Sequence, residues 1–415
     1  MDERTIVIVG AGLGAARAAV NLRKEGFEGR IVMLGDEAEV PYERPPLSKD
    51  YLRGTTGRDD ARVKPAEAWA ADGVELETGI RATEIDLRTR EVGTDDGRRL
   101  GFWRLLLATG SEARSLPVPG ADLAGVHTLR TFDDADAIRT AAQAAGDVAV
   151  IGDGWIGAEV AASLRQLDVG VTLILAGALP LERFVGPEIG AVYRDLHEAH
   201  GVRIVAESRV EAVVGDGSAA GVRLADGSVV AAAVIVAGVG ARPRDELARA
   251  AGLVVTDGIE VDELLRTSDA DVFAIGDVAA QWHPLLGARV RVEHWDTARR
   301  HGIAVAKAML DHGAPYRKAP YFYSDQYDLD MEYVGHPARW DQLVFRGDPA
   351  SGSFCAFWLA DARVVAGLNA RMPGISPTIA KLIQSEVQVD QHVLVDVDRP
   401  LEDLLAASTS GGSHP

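Results

Sequence analysis

One pattern occurs twice in this chain, and few folds can hold it. "RTIVIVGAGLGAARAAVNLRKEG" reads as a buried strand, a glycine turn and a helix. Thr5 to Val9 is a continuous β-branched run, as in a parallel strand covered on both faces. Gly10, Gly12 and Ala15 match G-x-G-x-x-G/A, with Gly14 between them. The first glycine permits the tight turn. The second lets backbone approach a pyrophosphate, and the third small residue lets helix and strand pack closely. The next strand, "GRIVMLGDE", ends in Asp36 and Glu37, where a ribose-binding carboxylate is expected. About 140 residues on, "DVAVIGDGWIGAEVAASLRQLDVGVTLIL" repeats the pattern with Gly152, Gly154 and Gly157. Two complete units predict an α/β fold with two Rossmann-like domains and two bound dinucleotides.

The second unit departs from the pattern at one point. Its second strand runs into Ala176 and Gly177 with no acid at the end. The usual clamp on a ribose 2′-hydroxyl is missing, while Arg183 is close enough in sequence to meet a 2′-phosphate. These residues leave NADH and NADPH both open.

The totals exclude several classes. A chain of 415 residues predicts two or three domains. A net charge of -19 argues against a nucleic-acid surface. The single cysteine, Cys355, lies in the strand-like "SFCAFWL" and reads as inert packing; no cysteine pair can form a redox relay. No stretch has the length of a membrane span or the order of a signal peptide, so a cytoplasmic protein is expected, with no membrane partner and no metal site. The tail 406–415 is small and polar and is expected to be disordered.

Other segments fit around the two loops. "GFWRLLLATGSEAR" is a strand breaking into Ala108, Thr109 and Gly110. "DADVFAIGDVAAQW" is a strand ending at Gly276 and Asp277, the strand end at which open α/β sheets bind ligands. "GSAAGVRLADGS" reads as a hairpin with glycine turns. "VEHWDTARRHGIAVAKAML" reads as a helix beginning near Trp295 or Asp296. "VPYERPPLSKDYL" cannot be helix interior or central strand; its prolines stiffen a loop that presents Arg44 and Lys49.

In these motifs, with "GVHTLRTFDDADAI", "GVGARP", "VEHWDTA" and "YFYSDQYDLDMEYVG", the chain resembles flavoproteins of the glutathione-reductase fold. Within them it resembles the ferredoxin reductases of bacterial oxygenase systems, the putidaredoxin reductase and biphenyl dioxygenase ferredoxin reductase type. Rubredoxin reductases and apoptosis-inducing factor are more distant relatives. The resemblance implies a discontinuous FAD-binding domain, 1–115 and 245–320, an NAD(P)H-binding domain, 116–244, and a small α+β interface domain, 321–405.

It also implies roles. Lys49 lies near flavin N5 and pairs with Glu159, and Trp295 packs beside the flavin; these three are the candidate catalytic residues. The FAD site takes Gly10, Gly12, Gly14, Ala15, Asp36, Glu37, Arg44, Lys49, Ala82, Ala108, Thr109, Gly110, Arg130, Gly276, Asp277, Glu293, His294 and Trp295, with His294 read as structural rather than catalytic. The NAD(P)H site takes Gly152, Gly154, Trp155, Ile156, Gly157, Glu159, Arg183, Val239 and Gly240. The helix after Trp295 would face the flavin with its N-terminal N–H groups.

The implied reaction is hydride transfer from NAD(P)H to FAD, then single-electron transfer to a [2Fe–2S] ferredoxin feeding an oxygenase. A rubredoxin is the lesser alternative partner, and an apoptosis-inducing-factor-like NADH-binding role is a further one. By resemblance NADH is the expected donor, and the chain is expected to be a monomer or weak homodimer. A local arginine patch is expected to meet the acidic partner, with Arg299, Arg300, Arg339 and Arg371 as candidates. One departure stands out: Tyr323 occupies a position where the family often has tryptophan.

Overall fold

The structure is a computed structural model that describes residues 2–337 and 339–407. From 408 on, the segment read as a disordered tail lies outside the described residues. The chain divides into two compact units. One holds the N-terminal stretch up to Arg44, then Arg58–Glu112 and Arg242–Pro320. The other holds Pro45–Gly57, Ala113–Ala241 and the chain from Tyr321 onward.

The first unit is built on a five-stranded parallel sheet. Its order is Val272–Ala274, Arg104–Leu107, Thr5–Val9, Arg30–Gly35 and Val74–Thr78. Every residue of Ile6–Val9 is buried, as a sheet covered on both faces requires. The strand order reverses beside Thr5–Val9. In a doubly wound sheet that reversal opens a crevice at the carboxyl ends of the strands. The first glycine loop leaves the strand there and enters the helix Leu13–Lys24. That helix packs along Trp295–Ala308, so two segments almost 300 residues apart in sequence share one face. A three-stranded antiparallel sheet, Ala82–Asp86 with Glu91–Thr94 and Arg99–Gly101, joins the same hydrophobic core.

The second unit repeats the plan. Its parallel sheet runs Arg203–Val205, Gly170–Ile174, Asp147–Ile151, Val234–Ala237 and Val126–His127. The segment read as a hairpin, 217–228, holds a single strand, the central one of a three-stranded antiparallel sheet of Val210–Asp216, Ser218–Leu224 and Val229–Ala231, with a glycine turn on either side. From Tyr321 the chain forms a five-stranded antiparallel sheet in the order Tyr321–Gln326, Leu329–Gly335, Arg363–Ala370, Ser353–Ala360, Gln342–Asp348. The helix Ser376–Ser385 covers it; a Cβ on Gly367 would lie 2.6 Å from Ile379 Cγ2. Ala158, Leu181 and Tyr193 of the second dinucleotide fold share one core with Met331, Phe354 and Trp358 of this sheet. That shared core makes the two a single unit.

The short stretch Pro45–Gly57 also packs here. The Tyr51 hydroxyl bonds the Asp136 carboxylate at 2.9 Å, Arg139 donates to Tyr51 O at 2.8 Å, and Ser163 Oγ donates to Ser48 O at 2.6 Å. No helix among the described residues is long and apolar enough to cross a membrane.

The helix pair of the first unit packs backbone to backbone. A Cβ on Gly302 would lie 2.5 Å from Gly14 O and 2.8 Å from Arg17 Cβ. Backbone cannot yield as a flexible side chain does, so Gly302→Ala must push the helices apart. We expect a loss of about 1–3 kcal/mol, read as a lower urea midpoint at unchanged slope.

Candidate functional site

Gly10 has φ +108, and a Cβ there would lie 2.2 Å from Ala108 O. Only glycine fits, and the contact joins the first loop to the Ala108–Thr109–Gly110 turn. Gly12 begins the helix Leu13–Lys24 with no side-chain cap, and a Cβ on it would meet nothing within 4 Å. The first helical N–H groups therefore face an open cradle, the arrangement that receives a phosphate. Gly14 and Gly276 both face Ala298 of the helix Trp295–Ala308, and Ala15 is fully buried.

The acids at the end of the second strand are both engaged. Burial works against the Asp36 charge, yet Arg244 Nη2 at 2.6 Å holds its carboxyl below the usual range. No motif in the sequence singles out Arg244. Glu37 takes Arg44 on one oxygen and the Tyr42 hydroxyl on the other, each at 2.6 Å. A carboxylate has further lone pairs, so both acids can still accept from a ribose. Ser111 Oγ donates to Asp277 at 2.7 Å, and Thr109 Oγ1 donates to Arg244 O at 2.6 Å. The Gly276 N–H donates to His301 Nδ1, and burial pushes that imidazole down to about 3. Ala82 is buried at the start of its strand, and Glu293 pairs with Arg291. His294 is the N-cap, its ring accepting from Asp296 N at 3.2 Å, and Trp295 opens the helix beside Arg299.

The second loop has the same construction. Gly152 has φ +136, and its Cβ would lie 2.3 Å from Gly238 O; one on Gly157 would lie 2.7 Å from Gly152 O. Gly154 starts the helix Trp155–Arg165 without a side-chain cap. Around its missing Cβ lie only the tips of Arg183, at 3.7 Å, and Phe184, at 3.8 Å. Ile156 on that helix and Phe184 on the short helix Glu182–Val185 are exposed apolar side chains. Val239 and Gly240 follow the strand Val234–Ala237, and Gly240 O accepts from Arg114 N at 2.9 Å. Trp155 instead packs edge-on to Phe322 at 4.8 Å, a contact with the C-terminal sheet. Two carboxylates approach the strand end that lacks an acid of its own. A Cβ on Gly177 would lie 3.6 Å from Asp153 Oδ2 and 4.0 Å from Glu182 Oε2.

Lys49 and Glu159 are brought together inside the second unit. Lys49 Nζ is 2.7 Å from Glu159 Oε2, with both side chains buried. Ser48 Oγ donates to the same oxygen, and Ser324 Oγ donates to Oε1 at 2.7 Å. Neither serine carries a sequence signal. Lys49 Nζ also lies 5.6 Å from the Tyr323 ring centroid, so the tyrosine at the variant position faces the ammonium. Burial, with carboxylates including Asp330 and Glu159, pushes the neighbouring Asp325 up to about 6 against the pull of Lys49. Arg130 belongs to this unit, its N–H bound to Asp134 at 2.9 Å.

The remaining expectations sort by unit. Arg299 and Arg300 lie in the first unit and share Asp296; Arg339 and Arg371 lie in the second and pair with Asp361 and Asp328. Cys355 is fully buried, and burial pushes its thiol up to about 12.

Residues 4–302 match the family model of pyridine nucleotide-disulphide oxidoreductases, and residues 321–405 match the reductase C-terminal model. The chain is 38% identical over 410 residues to the 5,5'-dehydrodivanillate O-demethylase ferredoxin reductase subunit of Sphingobium sp. (strain NBRC 103272 / SYK-6), covering 98% of this chain and 100% of that one. It is 37% identical to the anthranilate 1,2-dioxygenase system ferredoxin–NAD(+) reductase component of Burkholderia cepacia, over 95% and 98% of the two chains. A solved covalent putidaredoxin reductase–putidaredoxin complex superposes with TM-score 0.94 at 34% identity, over 98% and 99%.

The buried pair sets a stability test. Lys49→Met leaves the Glu159 carboxylate without its cation and should cost about 3–5 kcal/mol. The double variant with Glu159→Gln should recover part of that loss in chemical denaturation. An additive double variant would mean that the two charges do not interact.

Proposed function

Because this chain belongs to the pyridine nucleotide-disulphide oxidoreductase family and ends in a reductase C-terminal domain, we propose that it is the NAD(P)H-dependent reductase of a [2Fe–2S] ferredoxin serving an oxygenase. Bound FAD supplies the chemistry, accepting a hydride from the nicotinamide and releasing electrons singly. The residues present fit both nucleotides. Gly10 and Gly152 permit turns that no other residue could make, and Gly12 and Gly154 leave uncapped helix starts open to phosphate.

The first loop holds the FAD pyrophosphate, and Asp36 or Glu37 holds its ribose. The second loop holds the nicotinamide dinucleotide. Lys49 supplies a fixed positive charge that favours electrons arriving on the flavin, and Glu159 with its two serines keeps that ammonium in place. Arg44, steered by Glu37 and Tyr42, is a second cation directed at the FAD. The N–H groups that open the helix at Trp295 carry the partial positive charge suited to an anionic reduced ring.

Cys355 is the observation that carries the electron-transfer reading. This fold also serves disulfide chemistry, which needs paired thiols at the flavin. Here the one cysteine is buried in the strand Ser353–Ala360 with its thiol pushed up by that burial. Electrons therefore leave without a sulfur relay, to an iron–sulfur partner of the kind named in the related oxygenase systems. A cytoplasmic setting goes with this role.

NADH is the preferred donor. Asp153 and Glu182 stand over Gly177 in place of the missing strand-end acid. They can accept from a 2′-hydroxyl and would repel a 2′-phosphate. A like-charge conflict of about 2 kcal/mol gives roughly a 30-fold preference in kcat/KM. Steady-state kinetics with each nucleotide should show it, and Asp153→Asn should shrink it; a preference for NADPH would overturn the assignment. Cytochrome c reduction by NADH, run with a panel of [2Fe–2S] ferredoxins, tests the partner class. Turnover with rubredoxin alone would replace it.

A further inference from the structure

We infer that Tyr327, His197, Gln326 and Ser324 form a one-way chain of hydrogen-bond donors ending on Glu159, and that Ser324 and Gln326 are positioning residues for the Lys49–Glu159 pair. The functional consequence rests on the reading above; the chain itself does not.

The direction follows from what each group can do. The Glu159 carboxylate, paired with Lys49, only accepts. The Ser324 hydroxyl, 2.7 Å from Oε1, must spend its single proton on it. Ser324 Oγ can then only accept from Gln326, 3.2 Å away, which turns the amide NH2 toward the serine. The amide oxygen of Gln326 is thereby aimed at His197 Nε2, 2.9 Å away, and that nitrogen must carry a proton. Burial holds His197 down at about 4, so at neutral pH the ring has one proton and Nδ1 is bare. Nδ1 is the atom that the Tyr327 hydroxyl approaches, at 3.3 Å. Ser324, Gln326 and His197 are all 0% exposed, so water cannot substitute for a missing donor. Stacking of His200 on Tyr327, with ring centroids 3.7 Å apart, holds the outer end of the chain.

The chain joins three parts of the fold. His197 lies on the helix Pro187–Ala199, Glu159 on the helix of the second glycine loop, and the other three at the start of the C-terminal sheet. Each donor is fixed by the next, so the carboxylate keeps one orientation and Lys49 one position.

The first test needs no turnover. Nitrogen-15 spectra of the histidine-labelled holoenzyme at pH 7 should show His197 as the neutral Nε2–H tautomer. An Nδ1–H tautomer or a charged ring would overturn the chain. The second test uses Gln326→Met, which is close in size but has no N–H to give Ser324. The serine hydroxyl then loses the donor that fixes its orientation toward Glu159. Flavin reduction by NADH should slow roughly 10-fold, with KM for NADH and FAD content little changed. Ser324→Ala should do the same. A rate within twofold of the parent protein in both variants would overturn the positioning role. Failure to reduce any ferredoxin, with the expected tautomer seen, would instead overturn the functional reading and leave the chain standing.

Discussion

The second unit is organised around one buried carboxylate. Glu159 collects an ammonium and two hydroxyls from residues 48, 49 and 324, which no local element could bring together. A buried ion pair alone is a poor source of stability, because desolvation offsets the attraction between its charges. Extra hydrogen bonds change that balance by filling lone pairs that water would otherwise hold. The serines therefore belong to the pair as much as the lysine does. The rigid Pro45–Pro46 turn serves the same end: it fixes Ser48 and Lys49 with little conformational freedom left to lose.

Backbone contact does for the nucleotide loops what charge does for Lys49. Gly10 lies against Ala108 O and Gly152 against Gly238 O, closer than any Cβ permits. These contacts set the loop against the neighbouring strand end. The uncapped helix start beyond then points to a place the protein itself leaves open. Gly14 and Gly302 carry the constraint further, since the first-loop helix is held by the helix that opens at Trp295. Two candidate FAD elements thus have their mutual position set by two small residues.

The periodic and repeated features were legible in the sequence. Thr5–Val9, Asp147–Ile151, both loop helices and the helix at Trp295 form where the apolar runs and glycines place them. Lys49 and Glu159 were legible only through resemblance to a family, because nothing local marks residues 110 apart as partners. Ser48, Ser324, Gln326 and His197 were not legible at all. Hydroxyl, amide and imidazole groups occur throughout any surface, and only burial gives them meaning. Arg244 on Asp36 and Tyr51 on Asp136 escaped for the same reason. Trp155 stands in the second loop's motif, yet the C-terminal sheet takes its ring, because a large apolar face finds the nearest core.

The charge of the chain looks unsuited to an acidic ferredoxin, but the candidate arginines are not equivalent. Arg339 and Arg371 each face one carboxylate and form neutral pairs. Arg299 and Arg300 share the single carboxylate of Asp296, so this group keeps one net positive charge. The total of -19 matters less than that difference. Screening confines exposed charges to about 8 Å at physiological ionic strength, so an approaching partner feels the group it meets rather than the sum. Just before the helix Trp295–Ala308 that carries Arg299 and Arg300, Arg291 is matched by Asp257 and Glu293, so the full set at the helix start is three guanidiniums against three carboxylates. Charge at this face is therefore balanced on a strongly acidic protein, set by which pairs lie within a Debye length rather than by the total.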